Sequence, residues 1–188
     1  MSHPLANDKN LDKIRIPDPL RDGRLPMYLK CIKLLDEAFG GRMTVICGAD
    51  GPLTIASHLI GIENLMMLMT DDPQYVKELL DVTAEVSAVF STAQIKAGTT
   101  IAHVGDPEAA LLGPKLYEEF CHPVYVKIAK KWKEAETSGG KRHATLYHFC
   151  GNAAAIFARI ASTGVDMMDV DSLVPMKTAK ELVGNVCL

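Results

Sequence analysis

Long hydrophobic runs are missing from this sequence. The richest apolar stretch, 59–69 "LIGIENLMMLM", is interrupted by Gly61, Glu63 and Asn64, so no segment reads as a membrane span. The polar start "MSHPLANDKN" lacks the apolar centre of a signal peptide. Positive charge is not in excess. Against 23 Asp and Glu stand 20 Lys and Arg, a formal net charge of −3, which leaves no electrostatic footprint for nucleic acid. No dinucleotide fingerprint is present, and "SGGKR" at 138–142 lacks the spacing of a phosphate loop and reads as a turn. The five cysteines, Cys31, Cys47, Cys121, Cys150 and Cys187, are odd in number and irregularly spaced. They argue for a reduced, cytoplasmic protein with free thiols rather than a disulfide framework. Internal repeats and low-complexity tracts are absent as well.

What is present is an ordinary globular composition: 188 residues, 48% apolar and 23% charged, enough to bury one sizeable core. Residues 1–23 carry Pro17, Pro19 and Gly23 among alternating charges and read as an N-terminal arm or connecting segment. From Arg24 the pattern becomes periodic. "RLPMYLKCIKLLDEAFGG" predicts a helix with a glycine stop, "MTVICG" a strand, and Asp72-Pro73 opens a long helix that Gly98 ends. "TIAHVG" predicts a strand and "LGPKLYEEFCHPVYVKIAKKWKEAE" a helix kinked or broken at Pro123. "ATLYHFC" is a strand, 152–162 a helix, "DMMDVD" a strand, 175–182 a helix, and "NVCL" the start of a further strand. Helices alternate with about five strands and no hairpin signal appears between them, which predicts a parallel sheet covered by helices.

Polar residues gather at the ends of these strands. "ICGAD" ends in Asp50, "AHVGD" in Asp106, "YHFC" in His148 and Cys150, and "MDVDS" in Asp169 and Asp171. In parallel α/β folds ligands sit at that C-terminal edge. His148 and Cys150, two apart on a strand, point to one face, and imidazole with thiolate is a zinc donor set; a buried thiol beside a hydrogen-bonded imidazole is the alternative. Asp106 before Pro107 fits a helix cap as well as a site role, and Asp169 and Asp171 fit either a ligand-facing role or satisfaction of backbone donors. Asp50 reads as holding the loop before Gly51-Pro52. His58, His103 and His122 read as core or cleft-lining groups, and Lys127, Lys130, Lys131 and Lys133 as one solvated helix face.

Taken together, "DGRLPMYLKCIKLL", "GPLTIASHLIG", "DDPQYVKELLDVTAEV", "AGTTIAHVGDPEAALLGPKLYEEFCHP" and "HFCGNAAAIFARIASTGVDMMDVDSLVPMKTAKELVG" resemble, in order, the uroporphyrinogen decarboxylase-like superfamily. That superfamily also includes zinc-dependent corrinoid methyltransferases. The resemblance covers nearly everything after residue 20 and implies a partial (β/α)8 TIM barrel over 24–188, the central part of a barrel, with helices outside. His148 and Cys150 match the His-x-Cys zinc pair of the methyltransferase branch, whose further cysteine would lie past Leu188. Cys187 falls at the wrong end of its strand. The arginine-rich motif and the catalytic aspartate segment of the metal-free decarboxylases have no counterpart here.

The resemblance therefore implies zinc held by His148 and Cys150, with Asp106, Asp169 or Asp171 as catalytic-site groups that orient the ligands or line the pocket. It implies methyl transfer between methylcobalamin on a partner corrinoid protein and a thiol or other methyl acceptor or donor. The alternatives are a metal-free uroporphyrinogen decarboxylase and a catalytically incomplete barrel that needs a partner chain. Unpaired strand edges near "MTVICG" and "NVCL" predict self-association or a complementary chain, with neither nucleic acid nor membrane as partner.

Overall fold

The computed structural model describes residues 3–188, so residues 1 and 2 of the predicted arm 1–23 lie outside the described residues. The elements run α1 Leu25–Phe39, β1 Ile46–Asp50, α2 Pro52–Ile60, α3 Ile62–Asp71, α4 Pro73–Ala97, β2 Ile101–Gly105, α5 Pro114–Leu116, α6 His122–Glu134, β3 Ala144–His148, α7 Phe157–Ala161, β4 Met167–Asp169 and α8 Met176–Val183. The strands form one parallel sheet in the order β1-β2-β3-β4, the arrangement of consecutive β/α units in a barrel wall.

Four strand predictions change. "ATLYHFC" ends at His148, so Cys150 lies off the strand, and "DMMDVD" pairs only over Met167–Asp169. "MTVICG" is displaced, because Val45 is tied to Thr100 (Val45 N–H to Thr100 Oγ1, 2.8 Å) and the ladder proper begins at Ile46. It continues to Asp50, beyond which Gly51 N–H donates to Gly105 O at 2.7 Å. "NVCL" contributes a single parallel bridge between Met167 and Cys187 rather than a strand, so among the described residues the sheet has four strands where about five were expected. The break expected at Pro123 is a π turn over Tyr117–Cys121 joining α5 to α6. A proline without an N–H leaves the preceding turn short of a donor, and a wider turn there accommodates it.

Alternate strand residues face opposite sides. Ala102, Val104, Tyr147 and Met168 are buried against the helices, where α4 supplies Val76, Leu79, Leu80 and Ala84, and α6 supplies Tyr125, Ile128 and Trp132. Edge-to-face packing links Tyr125 to Tyr147 (4.9 Å between ring centres) and to Phe149 (5.3 Å), and Tyr147 O–H donates to Tyr125 O at 2.7 Å. The other face carries Gly48, His103, Leu146 and Met167 in one register row, and Asp50, Gly105, His148 and Asp169 in the next row toward the strand C-termini. This second row positions the site.

Helix α4 starts and stops as its sequence dictates: Asp72 accepts from Tyr75 N–H, Pro73 follows it, and Gly98 closes the helix at φ 117°. Among the described residues no single helix is long and apolar enough to cross a membrane. Helices α2 and α3 are apolar together but bend by 101° where Gly61 takes φ 86°, and Leu53, Ala56, Ile60 and Leu65 are buried in the core. The arm is held to this corner by buried Leu5, whose N–H donates to Leu59 O at 2.9 Å.

Candidate functional site

Strand β3 delivers His148 as its last residue, and the chain then turns so that Cys150 comes back over the ring. His148 Nε2 and Cys150 Sγ are hydrogen-bonded to each other at 3.0 Å at the exposed C-terminal edge of the sheet, so the two zinc donor types stand side by side as the sequence suggested, with the thiol exposed rather than buried. The turn is built to hold that approach. Gly151 takes φ 82°, and its N–H donates to Asp171 Oδ2 at 2.8 Å. Asp171 Oδ1 also accepts from Leu173 N–H at 2.9 Å, and these backbone donors hold its carboxyl below the usual carboxylate range. Asp171 thus ties the loop after β4 to the loop that carries Cys150.

Asp169 sits beside His148 in the register, with Oδ2 3.5 Å from Nδ1. That is a charge contact too long for a good hydrogen bond, and Nδ1 is buried without a hydrogen-bond partner among the described residues. A metal-binding histidine commonly turns its other nitrogen to a carboxylate in hydrogen-bond reach; here the carboxylate stands on the right side of the ring but beyond that reach.

His103, one row deeper on β2, packs edge-to-face on His148 with ring centres 6.0 Å apart. Burial pushes its pKa below the ordinary imidazole value, with the Asp169 charge acting the other way. The sequence grouped His103 with His58 and His122. The structure separates them, since His122 bonds Ser162 Oγ at 3.0 Å on the exposed α6 surface and His58 accepts from the arm through its backbone carbonyl. The local signal was parity: His103-x-Gly105 and Gly48-x-Asp50 share the face of His148. A cavity of about 520 Å³ opens beside this row, lined by Asp50, His103, Gly105, Tyr28 and Phe90 among others.

Asp106 is not brought to the pair. It is fully buried and points into the helical layer, where it accepts from Leu53 N–H (2.9 Å), Thr54 N–H (2.9 Å), Thr54 Oγ1 (2.7 Å) and the Tyr125 hydroxyl. It is a cap, yet not of the turn at Pro107 that follows it in sequence, to which its side chain gives no bond; it caps α2, more than fifty residues upstream. Burial raises its pKa to about 6, against the pull of the Tyr125, Thr54 and Leu53 donors. The Thr54 hydroxyl also lies against Glu108, and its single proton can be donated to only one of the two carboxylates.

As a zinc site, the donor chemistry fits and the count falls short. Imidazole nitrogen and cysteine sulfur are zinc donors, and catalytic zinc takes three protein ligands. Among the described residues no three His, Cys, Asp or Glu side chains already surround one point. Cys187, level with Met167 at the start of β4, is outside the row that carries the pair.

Comparison with known proteins bears on this arrangement. Residues 1–188 match the uroporphyrinogen decarboxylase (URO-D) family. The chain is 32% identical over 190 residues to the methylcobamide:CoM methyltransferase MtbA of Methanosarcina mazei, covering 100% of this chain and 54% of that protein. It is 26% identical over 189 residues to a uroporphyrinogen decarboxylase of Geobacter sulfurreducens, covering 97% of this chain and 53% of that protein. A solved methyltransferase from Methanosarcina mazei superposes with a TM-score of 0.85 at 26% identity, over 100% of this chain and 53% of the other. The chain spans about half the length of the curated relatives it matches.

Proposed function

The chain belongs to the uroporphyrinogen decarboxylase (URO-D) family, and we propose that within it this protein serves methyl transfer between a methylcorrinoid protein and a thiol, at a zinc site built on His148 and Cys150. The observation that carries the reading is the 3.0 Å approach of His148 Nε2 and Cys150 Sγ at the C-terminal end of β3. A decarboxylase of the same fold has no use for a soft donor pair at that edge. Zinc, when bound, supplies a Lewis acid that lowers the pKa of a substrate thiol so that it stands as thiolate at neutral pH.

The chain's own residues do the rest. His148 presents Nε2 toward Cys150, and the Asp169 carboxylate 3.5 Å from Nδ1 would favour the tautomer with its proton on Nδ1. Cys150 is held over the ring by the Asp171–Gly151 bond. In the forward direction the thiolate sulfur forms a bond to the methyl carbon, the cobalt–carbon bond breaks with its electron pair left on cobalt, and the products are a thioether and cob(I)alamin. The reverse direction, with a methylated donor and reduced corrinoid, uses the same groups.

The test is to incubate the full chain with zinc, methylcobalamin and a small thiol and to follow cob(I)alamin formation by absorbance. Turnover that vanishes in Cys150→Ala is the expected outcome. Thiol-dependent turnover equal in wild type and Cys150→Ala would assign the chemistry elsewhere, and a decarboxylase is separated by coproporphyrinogen formation without metal.

A second proposal concerns partners. Among the described residues strand β1 pairs only with β2, and beyond β4 there is a single bridge. Exposed apolar side chains accompany both edges: Met27, Leu34, Phe39, Met43 and Ile46 around α1 and β1, Leu173 and Met176 around α8. Unpaired strand groups with apolar neighbours favour pairing with more polypeptide. Sedimentation of the chain at several concentrations is expected to show a mass that rises with concentration, and Ile46→Lys is expected to lower it. A monomer throughout that range would rule out association through these edges.

A further inference from the structure

The cavity of about 520 Å³ beside the donor row carries charge of one sign. Asp50 is the only carboxylate among the described residues that line it, and no lysine or arginine joins it. Burial holds the pKa of His103 below the ordinary imidazole value, so the ring adds no positive charge at neutral pH. Two aromatic rings, Tyr28 of α1 and Phe90 of α4, stand edge to face in the same wall with centres 6.2 Å apart. Ser87 also lines the cavity. It is only 1% exposed, and its hydroxyl is buried without a hydrogen-bond partner among the described residues. An unpaired buried hydroxyl is costly, so its persistence marks a wall that receives a polar group.

One register row joins this cavity to the donor pair. Asp50, Gly105 and His148 are level on β1, β2 and β3 and share a face. Gly105 stands between the other two and, having no side chain, leaves the way open. Two strand spacings put about 10 Å between the backbones of His148 and Asp50, a distance that a molecule a few bonds long covers with its sulfur at Cys150 and its far end near Asp50. We propose that the cavity takes the tail of the thiol that is methylated at His148 and Cys150, and that this tail carries a positive charge, as in an aminothiol. The acceptor role rests on the methyl-transfer reading above. The Asp50 carboxylate attracts an ammonium group, the aromatic faces add cation–π attraction, and the Ser87 oxygen accepts from an N–H. An anionic tail meets no compensating charge in this wall and is repelled by Asp50.

The experiment titrates the full chain, followed by NMR, with three thioethers that differ only at the end group: 2-(methylthio)ethylamine, 2-(methylthio)ethanol and 2-(methylthio)ethanesulfonate. Wild type is compared with Asp50→Asn, Asp50→Lys and Phe90→Leu, and thermal melting confirms that each variant folds. In wild type the amine is expected to bind at least about fivefold more tightly than the alcohol, with the sulfonate weakest. Asp50→Asn removes most of that gap, Asp50→Lys reverses the order, and Phe90→Leu narrows it. In the methylcobalamin assay the three corresponding thiols follow the same order in KM. A sulfonate that binds wild type as tightly as the amine does, or an amine preference unchanged in a folded Asp50→Asn, overturns the proposal. Selective binding of the amine through Asp50, with methyl transfer to none of the three thiols, keeps the cation pocket and overturns the methyl-transfer reading on which the acceptor role rests.

Discussion

Asp106→Ala is expected to lower the unfolding free energy by at least about 3 kcal/mol, although Asp106 lies outside the donor site. The substitution strands the N–H groups of Leu53 and Thr54 and the Tyr125 hydroxyl in a region without solvent, and each unsatisfied buried donor costs about 1–3 kcal/mol. Against a typical domain stability of about 5–15 kcal/mol, that is enough to leave the variant marginally folded. Asp106→Asn keeps the shape and part of the bonding, and its deficit depends on pH. Because burial raises the pKa of Asp106 from 3.8 to about 6, the folded protein holds this proton more tightly than the unfolded chain does. The contribution of the group is therefore fully present below the unfolded value and is lost as pH rises through about 6, a change on the order of 3 kcal/mol for about two pK units. Asn cannot titrate, so the gap between wild type and Asp106→Asn should narrow by that amount between pH values below 3.8 and above 6. Urea denaturation at about pH 4.5 and about pH 7.5 captures about 2 kcal/mol of it, since at pH 4.5 the unfolded carboxyl is already mostly ionised. A gap that stays constant, or Asp106→Ala folding as stably as wild type while losing methyl transfer, would return Asp106 to the catalytic role first expected of it.

The second large effect is on metal binding. His148→Ala and Cys150→Ala each remove a donor, and each is expected to weaken zinc by more than the roughly 10–100-fold that loss of an outer partner costs. Asp169→Asn should fall within that range, since it keeps the ligands and weakens only the charge that steers the His148 tautomer. Asp171→Asn should act differently. Its bond to Gly151 N–H holds the Cys150 turn, so the expected change is a broader, weaker site rather than a lost ligand. Zinc titrations by chelator competition rank the four. An order in which the Asp171 variant binds more weakly than Cys150→Ala would mean that the thiol is not a ligand.

Much of this was legible one strand at a time. The Asp72-Pro73 and Gly98 signals bounded α4 because capping is local chemistry between near neighbours. The shared strand expected for His148 and Cys150 did not hold: β3 ends at His148, and the turn after it brings Cys150 to the ring. Alternation of helix and strand without hairpins gave a parallel sheet for the same reason: each unit writes its own period. The resemblance supplied the barrel, and the sheet order agrees with it.

What the sequence could not assign were contacts between distant segments. Helices α2 and α3 were not marked out as helices, since α2 takes its cap from Asp106 rather than from a residue at its own start. Asp106 read equally well as a cap or a site group until the tertiary structure aimed it into the helical layer. His103 read as one apolar-flanked histidine among three until the β1–β2–β3 register set it beside Gly48 and under His148. Spacing along a strand fixes which face a side chain takes, because the backbone repeat is local. Which neighbour it meets there depends on strand order and register, and those are set by the packing of the whole sheet.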